Sequence, residues 1–121
     1  KTMLEPEHHN WRVLRDLAED ESTLEVINDA GRYRLEDIDL EVVSNTLEWY
    51  RYRGDDFSSP EGETQTVRSL RRGDWQIETR TRTLVTATPE TFRVRAELDA
   101  REGDSRVYCR SWDTEIPRDL L

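Results

Sequence analysis

Residues 64–117 are four runs of alternating residues separated by compact turns, and few folds can accept that pattern. The run 64–72 passes through Gly73-Asp74 into 75–88. Pro89-Glu90 leads into 91–101, and Glu102-Gly103-Asp104-Ser105 leads into 106–116. Successive side chains of a strand point to opposite faces, so period-two alternation broken by short turns predicts an antiparallel meander. In the run 91–101, Phe92, Val94, Ala96, Leu98 and Ala100 share one face opposite Arg93, Arg95, Glu97 and Asp99, as a half-buried strand requires. Trp75 and Ile77 share a face in the same way and are expected in the core with Phe92.

The first half carries the same signals less regularly. Residues 11–17 alternate, with Trp11, Val13, Arg15 and Leu17 on one side. Trp11, Leu14, Arg15 and Ala18 also fit a helix, but the segment is short and Glu19-Asp20-Glu21-Ser22 reads as a turn into the β-rich stretch 23–27, which favours a hairpin. Asn28-Asp29-Ala30-Gly31 is expected to form a tight turn, since these residues tolerate positive φ. Residues 39–53 form one long β-prone stretch, and 54–62 the longest loop.

Composition narrows the architecture. Hydrophobic residues make up 34% and charged residues 37%, enough for one thin core. Runs of eleven to fourteen residues at about 3.3 Å each outreach a compact domain of this size, so the strands must bend. The expected fold is all-β and antiparallel, with long, strongly bent strands in a jelly-roll-like sandwich or a curled sheet. Residues 1–10 are expected as a tether or frayed N-terminus, and 11–121 as a single β domain.

The net charge is −9. Arg71, Arg72, Arg80, Arg82, Arg93 and Arg95 could line one face, but acidic residues outnumber basic ones 27 to 18, which argues against nucleic acid or an anionic membrane as partner. Cys109 is the single cysteine, so no intrachain disulfide can form; it is expected as a small core residue. No apolar run reaches the roughly 20 residues a membrane span needs and no signal-peptide pattern occurs, so a cytoplasmic location is expected. The sequence opens at Lys1 without an initiator Met, which suggests a piece of something longer.

Catalytic motifs are missing. There is no Gly-x-Ser-x-Gly elbow, Gly-rich phosphate loop or His-Glu-x-x-His, and no residue is assigned a catalytic role. His8 and His9 are adjacent and would point apart on an extended chain. Asp37, Asp39 and Glu41 would share a strand face, and Asp55-Asp56 lies in the long loop, but neither set has the Gly-turned loop that a calcium site uses. No metal or cofactor is expected. The remaining signal is aromatic. Trp49, Tyr50 and Tyr52 fall on both faces of one strand, so some of them should reach a binding or docking surface, together with Asp55, Asp56 and Phe57 of the loop and Trp112 of the last strand.

Several stretches carry a family resemblance: Trp11-Arg-Val-Leu-Arg-Asp-Leu-Ala18, Gly54-Asp-Asp-Phe-Ser-Ser59, Arg71-Arg-Gly-Asp-Trp75, and the segment from Phe92 to the end, above all Ile116-Pro117-Arg118-Asp119-Leu120. Together they resemble the C-terminal β domain of cocaine-esterase-like hydrolases, α/β-hydrolase serine enzymes (acyl esterases) of the X-Pro dipeptidyl-peptidase superfamily. The resemblance covers most of residues 11–121, with Phe57 standing where the family tends to have Pro. It implies a jelly-roll sandwich packed on a hydrolase domain of its own parent chain, which would carry the Ser-His-Asp triad. Docking, shaping of the substrate cleft and homo-oligomer contacts would be this domain's roles. A free-standing module binding carbohydrate or another small ligand is the alternative reading of the same residues.

Overall fold

The computed structural model describes residues 1–119; Leu120 and Leu121, which end the tail that carries the resemblance, lie outside the described residues. Eight strands follow one another: β1 (Thr2–Glu5), β2 (His8–Asp16), β3 (Glu21–Leu35), β4 (Leu40–Arg53), β5 (Glu61–Arg72), β6 (Trp75–Ala87), β7 (Thr91–Glu102) and β8 (Ser105–Pro117). A single 3-10 turn, Glu36–Ile38, joins β3 to β4. All pair antiparallel in one sheet of order β1-β3-β4-β5-β6-β7-β8, with β2 also on β3. The fold is all-β, and of the two architectures expected the described residues form the curled sheet.

The four alternating runs become β5 to β8, each within a few residues of its expected bounds. Two of their three turns close because Gly73 (φ +55) and Gly103 (φ +56) supply the left-handed backbone that a tight reversal needs, and the third, between β6 and β7, closes through Thr88 N donating to Thr91 O at 2.8 Å. Two stretches of the first half differ from expectation. Asn28-Asp29-Ala30-Gly31 does not turn the chain back; it is an irregularity inside the fifteen-residue β3, where the register with β4 shifts between Asp29 and Arg32. Gly31 takes φ +72, and its N–H donates to Asp29 Oδ1 at 2.8 Å, so the turn chemistry is spent on a local bulge. The bulge marks where the neighbour of β3 changes from β2 to β1. The opening residues, expected as a tether, are paired: Thr2 with Arg34, Met3 with Tyr33, and His8 with Asp29.

Register divides the side chains into two faces. One row across the first face runs Val13, Leu24, Tyr50, Gly62, Val85, Val94, Thr114. A row at the other end of the same face runs Met3, Tyr33, Val42, Leu70, Ile77. Between them lies a belt of hydroxyls, in which Thr46, Thr66 and Thr81 are in register and Thr64 pairs with Thr83. The second face carries Arg12, Glu25, Trp49, Glu63, Leu84, Arg95 and Asp113 in one row, with the same mix of charges above and below it.

Among the described residues no second layer covers the apolar face. The substantial contacts between elements all join sheet neighbours, and among the described residues Val26 is the one buried hydrophobic side chain. Trp75, expected in a core with Phe92, is 44% exposed because its face has nothing over it, and Phe92 is only half-buried. Cys109, also expected inside, is exposed because it falls on the charged face of the edge strand β8. The chain exposes 8574 Å², against about 6,800 Å² for a compact monomer of its mass.

Candidate docking face

The apolar end of the first face is a groove of about 770 Å³, lined by Val13, Leu24, Tyr50, Tyr52, Val85 and Phe92 from β2, β3, β4, β6 and β7. Their convergence follows from register, since Val13, Leu24, Tyr50 and Val85 lie in one row and Phe92 pairs with Ala87 one step along. Gly62 in the middle of the row leaves the floor open, with the Tyr50 ring 3.6 Å from where a Cβ would stand. Tyr50 and Tyr52 are exposed, and the Tyr50 hydroxyl donates to Glu48 at 3.2 Å. Partial burial and the Glu48 carboxylate raise the Tyr50 pKa, so this phenol stays neutral and remains a donor.

The aromatics of β4 separate as their parity requires. Tyr50 and Tyr52 join the groove, while Trp49 turns to the charged face, where its Nε1 donates to Glu25 at 3.2 Å. Arg12 Nε donates to the same carboxylate at 2.8 Å, and chiefly this bond holds the Glu25 pKa below its ordinary value. Glu63, nearly buried, accepts from Gln65 at 2.8 Å, Arg82 at 3.1 Å and Arg51 at 3.5 Å. Burial raises its pKa, but the three donors outweigh burial and leave it lowered. Trp112, on the apolar face of β8, carries the Arg110 guanidinium 4.7 Å from its ring centroid.

Asp55, Asp56 and Phe57 lie in the loop between β4 and β5. Asp56 shapes the loop, its Oδ1 accepting from Ser58 N at 2.8 Å and its carbonyl from Ser59 Oγ at 2.7 Å. The Phe57 ring is 80% exposed, but its carbonyl accepts from Arg118 Nη1 at 2.7 Å, and the same nitrogen reaches Thr88 O at 2.9 Å. Arg118 also lies 4.8 Å over the Phe92 ring. One arginine of the chain's tail therefore ties the loop to the rim of the groove, a link that sequence spacing could not show.

The remaining candidates do not come together. Asp37 is in the 3-10 turn and Asp39 is left-handed (φ 48), so neither continues the strand face of Glu41, which pairs with Arg34 at 3.2 Å. His9 stands 3.3 Å from Glu7. Among the described residues no group of three or more His, Cys, Asp or Glu is placed to hold a metal ion, and no helix is long and apolar enough to cross a membrane. No family model, curated protein or solved structure matches this chain.

Proposed function

We propose that this chain is the non-catalytic C-terminal β domain of a cytoplasmic serine hydrolase acting on esters or X-Pro peptides, and that it docks through its apolar face. The observation that carries the docking role is the uncovered layer. The chain as a whole exposes about 1,700 Å² more than a compact monomer of its mass, which leaves room for an ordinary stable interface of roughly 800 Å² per partner on that layer. A sheet left in this state loses its main source of stability, because burial of apolar area drives folding. The partner on this reading is the α/β-hydrolase domain, which would supply nucleophile, base and oxyanion hole, while this domain walls the cleft. The family part of this reading rests on the sequence resemblance alone; the Arg118–Phe57 bond joins two of the resembling stretches within this chain.

A cocaine-esterase-like hydrolase domain lacking its own β domain is the binding partner to test. Binding with a Kd in the micromolar range or tighter is expected, together with no turnover of p-nitrophenyl esters or X-Pro p-nitroanilides by this chain alone. Absence of binding, or turnover lost on replacing a serine of this chain, would overturn the reading. Oligosaccharide that quenches tryptophan fluorescence in the same preparation would favour a ligand-binding module.

A further inference from the structure

The hairpin of β5 and β6 ends in Arg71-Arg72-Gly73-Asp74-Trp75, and every one of these residues is exposed. The tip is held from below and open above. Its Gly73 takes the left-handed φ of +55, and Gly103 of the next hairpin donates its N–H to Gln76 O at 2.9 Å. Nothing lies within 4 Å of where a Gly73 Cβ would stand, so no other element packs over the turn. Arg72 pairs with Trp75 across it. Arginine and tryptophan on a preorganised, open element are the side chains that most often anchor a protein contact.

The charges at the tip identify what fits there. Among the described residues only Arg71, Arg72 and Arg95 of the arginines have no ion pair, side-chain hydrogen bond or ring contact. At Arg71 the cause is visible. Glu41 stands opposite it in register, but that carboxylate is taken by Arg34 at 3.2 Å and Arg32 at 3.6 Å, beside a cavity of about 320 Å³ that Arg71 also lines. Successive strand residues point to opposite faces, so Arg71 and Arg72 offer one guanidinium on each side of the tip. Each is a planar fork suited to a carboxylate. The neighbouring turns carry Glu36, Asp37 and Asp39 on one side and Glu102 and Asp104 on the other, and Asp74 stands in the tip itself. These acids repel a continuous polyanion such as nucleic acid or an anionic bilayer, but a short segment with two separated carboxylates can reach both arginines and leave the middle uncharged.

We propose that the tip of the β5–β6 hairpin docks a short acidic protein segment, in which Arg71 and Arg72 take one carboxylate each and Trp75 takes an apolar side chain beside the second. This site lies at the opposite end of the sheet from the apolar groove and does not rest on the hydrolase reading.

A labelled peptide tests the site on the whole chain. The probe carries a fluorescein, two glutamates about five residues apart, a reach of about 17 Å when extended, and a leucine beside the second glutamate. Fluorescence anisotropy at low salt, with a nonionic detergent masking the apolar face, is expected to show binding. Arg71→Gln, Arg72→Gln and Trp75→Ala should each weaken it about fivefold or more, with unchanged circular dichroism spectra. Arg95→Gln, which removes an arginine of the same kind from the middle of the sheet, should leave it unchanged, and the same peptide with glutamine for glutamate should not bind. The proposal is overturned if the glutamate peptide fails to bind, if its glutamine version binds equally, or if Arg95→Gln weakens it as much as the tip variants do. Displacement of the peptide by an equal concentration of inorganic phosphate, or tighter binding of labelled single-stranded DNA, would also overturn it by showing a general anion site.

Discussion

On one face of the sheet Arg12 meets Glu25, Arg82 meets Glu63, Arg106 meets Asp99 and Arg93 meets Asp113; on the other, Val13, Leu24, Tyr50, Val85 and Phe92 converge on an open groove. Both faces belong to the same strands, and alternation alone separates them. The charged face is complete in water, since its long side chains pair with one another and cover Ile27, Leu47 and Val67 beneath them. The apolar face has nothing equivalent and becomes complete only when another surface lies on it. A face that is finished alone confers solubility, and a face that is unfinished specifies association.

The sharpest way to break this comparison is to make the unfinished face polar. Leu24→Asp combined with Tyr50→Ser is expected to abolish binding to the hydrolase domain, by a hundredfold or more in Kd, and to lower the fluorescence of a hydrophobic dye bound to the free chain. Paired changes on the charged face, such as Arg80→Ala with Glu78→Ala, should leave both readings unchanged. Titration calorimetry and dye binding measure the two effects. Equal losses from both faces would mean that the difference between them does not govern association.

The division into faces was legible in the sequence because period two is a local property: Phe92, Val94, Ala96 and Leu98 could only share a side, and they do. Which faces are covered is not local. Trp75 and Phe92 look like core residues in any alternating strand, and only the absence of a layer above them leaves Trp75 exposed. Asn28-Asp29-Ala30-Gly31 shows a second limit. Its residues supply the positive φ of a hairpin, but the strand beyond continues on the same partner, so the same chemistry makes a bulge. The groove assembles Val13, Tyr50 and Phe92 from distant stretches, and the Arg118–Phe57 bond spans 61 residues, so neither has a signature in spacing.

Within the charged face, Glu63 should matter most, because it is the least exposed carboxylate and accepts from Gln65, Arg82 and Arg51. Glu63→Ala is expected to cost about 1.5–3 kcal/mol in urea unfolding, the usual scale for hydrogen bonds to a charged group. Glu63→Gln, which keeps the shape and some acceptor capacity, should recover part of that loss. A cost indistinguishable from zero for Glu63→Ala would show the ion pairs of this face to be decoration.

Acid tests the same face as a whole. The carboxyls of Glu25, Glu63 and Asp99 are held below their ordinary values of 4.5 for Glu and 3.8 for Asp in the folded chain. The unfolded chain therefore takes up protons first, and the stability these groups supply is complete above about pH 5 and lost as pH falls through their lowered values. The urea midpoint should be flat from pH 8 to 5 and decline below about 4.5, with the Glu63→Ala variant declining less steeply. A midpoint that rises on acidification would reverse the sign assigned to these pairs.

The smallest effect should come from the pair with the best geometry. Arg93 meets Asp113 through two parallel bonds, Nε to Oδ1 at 2.9 Å and Nη2 to Oδ2 at 2.6 Å, between β7 and β8. Both side chains stand in solvent, where the attraction is weakened by water and salt and offset by the entropy of fixing two long groups. Chiefly because of this hydrogen bond the Asp113 pKa is lowered and the Arg93 pKa raised, but at full exposure such shifts need not appear as stability. Arg93→Ala is therefore expected to leave the urea midpoint of the chain within experimental error at 0.15 M salt, with a small loss emerging only at low ionic strength. A marked loss at physiological salt would mean that β8 depends on this pair for its attachment to β7, and that the charged face is held together one bond at a time rather than by the ladder beneath it.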